Sequence, residues 1–273
     1  MPIQRVLFLA LLVFMIFALK ATADRVDSLE AECLSPPYTS AANESEELIG
    51  SLVLWLQSAL APYPGLLFEL EKDGPEICLA ERIFDAQGYF GAEDNRIVIR
   101  RDLPMGLMRA VAIHELRHVQ QFRAGACPGP SLSMQQHARV TLALEADASA
   151  VSLAVAWDLK EKGDAEVWEA LVSWPKHADL APAFNAALLE TNDTARATAR
   201  AFAQWYASDW RRETYYVAAC MTYLDRQDEE HISPLYDAAP LDFLEDLCHM
   251  PNGAPYPCTE PSFARGNETK QKK

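Results

Sequence analysis

His114-Glu115-Leu116-Arg117-His118 lies within Leu107 to Phe122, a stretch with no Pro and no Gly after Gly106 that reads as one continuous helix. Four residues of helix turn the chain through about 400°, so the two histidines fall about 40° apart on one face, separated by roughly 6 Å of rise. Two imidazoles so placed can bind one metal ion. Glu115, about 100° further round, can reach a metal-bound water without becoming a ligand itself. The pattern is HExxH, the zinc-hydrolase arrangement of two histidine ligands and a carboxylate general base.

A catalytic zinc takes three protein ligands and leaves the fourth position for water, so a third ligand is needed. The best candidate is Glu145, in Ala143-Leu144-Glu145-Ala146-Asp147-Ala148-Ser149-Ala150. Its neighbours are small and helix-forming, which lets a second helix approach the first until a carboxylate reaches the metal. Charged residues are rarely buried among such neighbours unless they are paired.

On these residues the chain resembles the gluzincin class of zinc metallopeptidases, in which HExxH on one helix is completed by a Glu on a following helix. The resemblance rests on HELRH at 114–118 and on Glu145 followed three positions later by Ala148. The chain is also similar to bacterial metallopeptidase-like proteins with an HExRH helix and an EADA helix. The resemblance implies zinc held by His114, His118 and Glu145, with Glu115 as general base. Gluzincins commonly place an Asp four residues after the ligand Glu to orient a ligand His. Here that position is Ser149, whose hydroxyl can still accept an imidazole N–H, while Asp147 lies about 200° from Glu145. The resemblance covers about Tyr89 to Ser152.

Upstream, Leu66–Leu70 and Ile77–Ala80 are short apolar runs separated by the turn chemistry of Asp73-Gly74-Pro75. Gly88–Gly91 and Arg96–Arg100 follow, and the last run alternates β-branched residues with charge as an edge strand does. These are the strands expected of the small sheet roofing a zincin-like site. An edge strand there can pair with extended substrate backbone, the alternative being an ordinary hairpin with no ligand.

Arg5 precedes fourteen apolar residues, Val6 to Leu19, and Ala21-Thr22-Ala23 supplies an AxA-like cleavage site. The run is shorter than the about 20 residues of a membrane span, so residues 1–23 read as a signal peptide cleaved after Ala23. Cys33 is too distant to be a lipidation site. The six cysteines all follow that segment, which implies an oxidising compartment and up to three disulfides. Cys248 with Cys258 is the pair expected first, because the Pro- and Gly-bearing tail between them has little core of its own. Asn43, Asn192 and Asn267 lie in N-x-S/T sequons.

Removing Arg5 and Lys20 with the signal takes the formal charge from −15 to −17. That sign argues against nucleic acid or anionic membrane surfaces as partners. From Ser131 onward the chain reads as mainly helical: Met134 to Lys160, stopped at Gly163; Asp164 to Trp174, ended by Pro175; and Asp193 to Asp225 with an aromatic load suited to a core. Leu48, Ile49, Leu52, Trp55, Leu56 and Leu60 form a further stripe behind the acidic start Glu44 to Glu47. His137, His177, His231 and His249 are expected to be surface or satisfied side chains. Arg117 is expected in a salt bridge. Tyr215, Tyr216 and His231 are candidates for stabilising an oxyanion.

The expected architecture is α+β: a zincin-like small sheet with the active-site helix (about 44–163), a mainly helical C-terminal lobe (about 164–264), and a disordered tail over 265–273. Residues 24–264 are expected to form one domain. The expected function is a secreted or periplasmic zinc metallopeptidase acting on peptides or proteins, with no stable membrane anchor once the signal is removed. The alternatives are an envelope binding protein on a zincin scaffold, with zinc as a staple, and a zinc hydrolase of non-peptide amides.

Overall fold

The computed structural model describes residues 31–83, 86–262 and 264; the expected signal peptide and the tail over 265–273 lie outside the described residues. The protein is α+β, with a four-stranded sheet and nine helices among the described residues. β1 (Ala31–Leu34) is followed by α1 (Glu44–Ala59), α2 (Pro64–Glu71) and β2 (Glu76–Ala80), then by the hairpin of β3 (Gly88–Gly91) and β4 (Arg96–Arg100). The sheet order is β1-β2-β4-β3, antiparallel at both edges and parallel between β2 and β4.

The period-2 alternation of a strand divides the sheet's two faces. Ile77, Leu79, Ile97 and Ile99 join the main core under the helices, whereas Cys78, Ala80 and Val98 form a small cluster on the opposite face. Cys33 and Cys78, directly opposite each other on β1 and β2, are joined by a disulfide. Two expectations are corrected here. Leu66–Leu70 is not a strand but most of α2, because Pro64 opens the segment at the first helical position, where its missing N–H costs nothing. β4 is not an edge strand either: Ile97, Val98 and Ile99 are all buried between β2 and β3, and its charges stand only at its ends. The edge strands are β1 and β3.

α1 forms as its acidic start suggests. Asn43 caps it by accepting from the Glu46 N–H at 2.9 Å, and Glu46 reaches back to the Ala42 N–H at 2.6 Å. α3 (Met105–Arg123) carries HELRH, and α4 (Met134–Glu161) runs on to a stop at Gly163, which adopts φ 99°. α4 is long and apolar enough for a membrane span, but it is the buried centre of the helical part, packed on α3 and on α5 (Glu166–Ser173), α7 (Thr194–Trp205) and α8 (Asp209–Glu230). The segment expected as one helix from Asp193 to Asp225 divides into α7 and α8, because Ser208 caps a new helix start. α6 (Leu180–Thr191), not anticipated, ends on Asn192 in the left-handed region. A short α9 (Phe243–Leu247) leads into a C-terminal loop closed by the Cys248–Cys258 disulfide. Cys127 and Cys220 are unpaired.

Candidate metal centre

α3 and α4 pack against each other, and the small Ala148, three residues beyond Glu145 on α4, is fully buried. That approach brings Glu145 to the two histidines of α3. Nε2 of His114 lies 3.0 Å from Nε2 of His118, and the two Glu145 oxygens lie 3.5 and 3.4 Å from those nitrogens. One donor atom from each of the three side chains falls within 4.8 Å of the others, a spacing that could hold a metal ion. Glu115 stands beside this cluster, buried, with the main chain of Phe90 on β3 near its carboxylate.

The donor set fits a metal such as zinc on its chemistry. Two imidazoles and a carboxylate are the ligands that zinc takes in catalytic sites. His118 holds Gln121 Oε1 with Nδ1 at 2.7 Å, which leaves Nε2 for the cluster. A pair of lone-pair nitrogens 3.0 Å apart beside a carboxylate calls for a positive charge between them. The same demand shows in protonation. Burial disfavours the charged form of His118, but the Glu145 and Glu115 carboxylates outweigh it and lift its pKa to about 9. Burial likewise opposes ionised Glu145, yet His118 and His114 hold it well below the usual carboxylate range. For Glu115 burial wins over both histidines, and its pKa is raised.

A cavity of about 770 Å³ opens beside the cluster, with His114 and Glu115 in its wall and mostly apolar side chains around them. His177 also lines it and is neither on the surface nor satisfied: it is buried, its ring is stacked on Trp174 at 4.3 Å, and its Nε2 has no partner. Burial, with His114 and Arg211 nearby, pulls its pKa down to about 3, so the imidazole is neutral. Of the expected oxyanion candidates Tyr215 reaches this cavity; Tyr216 and His231 are exposed and not part of its wall. Ser149 lines the cavity too, but its hydroxyl has no hydrogen bond, so it does not orient a histidine. His137 is buried against Tyr223, away from the cluster, with Nδ1 unpaired.

Arg117 makes the expected salt bridge, to Asp147, with Nε and Nη2 at 2.7 and 3.1 Å from the two carboxylate oxygens. Sequence reasoning missed Gln121 and the role of Asp147. The one signal for Gln121 was its spacing of three from His118, which places both on one helix face. For His177 there was none.

Residues 22–258, most of the chain, match the model of a family described as "Putative metallopeptidase family (DUF6782)". No curated protein and no solved structure matches.

Proposed function

The chain belongs to that metallopeptidase family, and from this premise we propose that it is a gluzincin-type zinc peptidase, secreted or periplasmic, built as one domain over residues 24–264. In this reading His114, His118 and Glu145 hold the metal and Glu115 is the general base. The observation that carries it is the convergence of those three donor side chains within 4.8 Å, with the Glu115 carboxylate beside them on a substrate-sized cavity. The two disulfides are consistent with an extracellular or periplasmic location.

A bound zinc ion supplies Lewis-acid polarisation of a scissile carbonyl and lowers the pKa of a water. The protein's own groups do the rest. Glu115 is buried, which raises its affinity for a proton, so it can accept a proton from water and pass it to the leaving amine. Because β3 forms the sheet edge at this point, extended substrate backbone can run alongside it. His177 and Tyr215 are among the polar side chains that line the cavity, and we take them as candidates to donate to a carbonyl oxygen as it gains charge.

The test is a peptide-library digestion with wild type and Glu115→Gln, together with metal analysis of both and of Glu145→Ala. The reading requires about one zinc per chain, lost from Glu145→Ala on dialysis, and hydrolysis that falls by roughly 10²- to 10⁴-fold in a folded, zinc-loaded Glu115→Gln. Equal cleavage by wild type and Glu115→Gln would assign the activity elsewhere. Zinc binding with no cleavage by either would favour a binding protein on this scaffold.

A further inference from the structure

Gln121 is buried one turn beyond His118 on α3. Its Nε2 donates to two groups, the Leu144 carbonyl at 3.0 Å and Asp147 Oδ2 at 2.7 Å. A carbonyl and a carboxylate only accept, so both amide hydrogens are committed and the amide has one orientation. Its Oε1 therefore faces His118 Nδ1, at 2.7 Å. An amide oxygen cannot donate, so Nδ1 must carry a hydrogen, and the nitrogen left to bind a cation is Nε2, which faces His114 and Glu145.

Asp147 is what imposes this. It is fully buried and takes hydrogen bonds from Arg117, Gln121 and the Tyr256 hydroxyl, the last at 2.6 Å. Arg117 in turn donates to the Leu247 and His249 carbonyls at 3.0 and 2.9 Å. Leu247 and His249 flank Cys248, and Tyr256 lies inside the loop closed by Cys248–Cys258. The C-terminal loop thus reaches His118 through an unbroken line of hydrogen bonds, Tyr256 to Asp147 to Gln121 to His118. A buried carboxylate with its charge paired and every lone pair engaged has no freedom to rotate, and that rigidity passes to the amide.

Resting on the metal-site reading above, we propose that Gln121 is a positioning residue for metal binding: its amide, oriented by Asp147, holds His118 with Nδ1 protonated and Nε2 turned toward the metal. A carboxylate or carbonyl behind a ligand histidine does this commonly. Here a neutral amide does it, borrowing its direction from a carboxylate that belongs to an Arg117 ion pair.

The experiment uses the purified protein with ¹⁵N-labelled histidine, loaded with zinc, and a chelator competition for zinc affinity. In wild type, His118 should ligate through Nε2, with Nδ1–H seen as a slowly exchanging, hydrogen-bonded proton. Gln121→Leu, folded by circular dichroism, should weaken zinc binding roughly 10- to 100-fold and expose Nδ1–H to rapid exchange. Tyr256→Phe, which leaves the amide's own three hydrogen bonds in place, should stay within a few-fold of wild type. Ligation of wild-type His118 through Nδ1, or wild-type affinity and exchange in folded Gln121→Leu, overturns the proposal. The nitrogen assignment in wild type decides the matter even if Gln121→Leu does not fold. A wild type that takes up no zinc would sink the metal-site reading, a separate result, and the positioning role with it.

Discussion

The main chain of Phe90, on the edge strand β3, lies near the carboxylate of Glu115 on α3 and lowers its pKa against the effect of burial. The sheet therefore forms part of the surroundings of the group proposed as general base. Gly88, two residues before Phe90, lets the strand come that close: a Cβ there would meet Val111 Cγ1 at 2.5 Å and the Val98 carbonyl oxygen at 2.9 Å.

Gly88→Ala should accordingly push β3 off α3 and away from the Glu115 carboxylate, whose Oε1 would lie 3.5 Å from the new Cβ. We expect a loss of about 1–3 kcal/mol in urea unfolding, the usual cost of overpacking, and lower peptide hydrolysis with zinc content unchanged. Wild-type stability would show that the strand moves freely, and wild-type activity that its close approach to Glu115 is dispensable.

The four peptide groups from His114 to His118 were legible because helix geometry alone puts i and i+4 on one face. That Glu145 would come to the two histidines was expected from the small residues around it, and the structure brings the three together. Other features depended on tertiary partners. Arg96–Arg100 has the composition of an edge strand, yet it is buried because β3 folds back outside it. Asp147 points away from Glu145 along α4 and still serves the same site, since Gln121 on α3 closes the gap. No spacing in the sequence links Cys33 to Cys78; strand pairing does.

The thiol count is a direct check on the cysteines. Cys33–Cys78 and Cys248–Cys258 are bonded, while Cys127 and Cys220 are free. Protein isolated and denatured without reductant should titrate two thiols of six, both modified in mass spectra at Cys127 and Cys220. Six would mean that the protein matures in a reducing compartment, and none that these two pair with each other or between molecules.

Acid stability should depend on His137. Burial, reinforced by the Arg226 guanidinium, pulls its pKa down to about 4, against roughly 6.5 in an unfolded chain. Between those values the unfolded state binds the extra proton, so stability falls as pH drops from about 6.5 toward 4, by up to about 1.4 kcal/mol per pH unit from this group. His177 acts in the same direction, down to about 3. His137→Phe retains a ring against Tyr223 but has no proton to gain. Its urea midpoint should therefore change less than that of wild type between pH 6.5 and 4.5. Parallel pH curves for the two proteins would refute the assignment.

His177 offers a separation of stability from activity. Its ring is stacked on Trp174, but Nε2 is buried with no partner among the described residues, a condition that typically costs about 1–3 kcal/mol. A core position with no further task would do better with carbon at that point. His177→Phe keeps a stackable ring and removes the unpaired nitrogen, so stability should hold or rise. If the imidazole donates to the carbonyl oxygen of the substrate as charge develops there, kcat should fall by about 10²- to 10³-fold while zinc affinity and KM change little. Loss of stability together with activity would point to a packing role. Unchanged kcat in a stabilised variant would remove His177 from the reaction and move the donor role to another polar side chain of the cavity wall, Tyr215 among them.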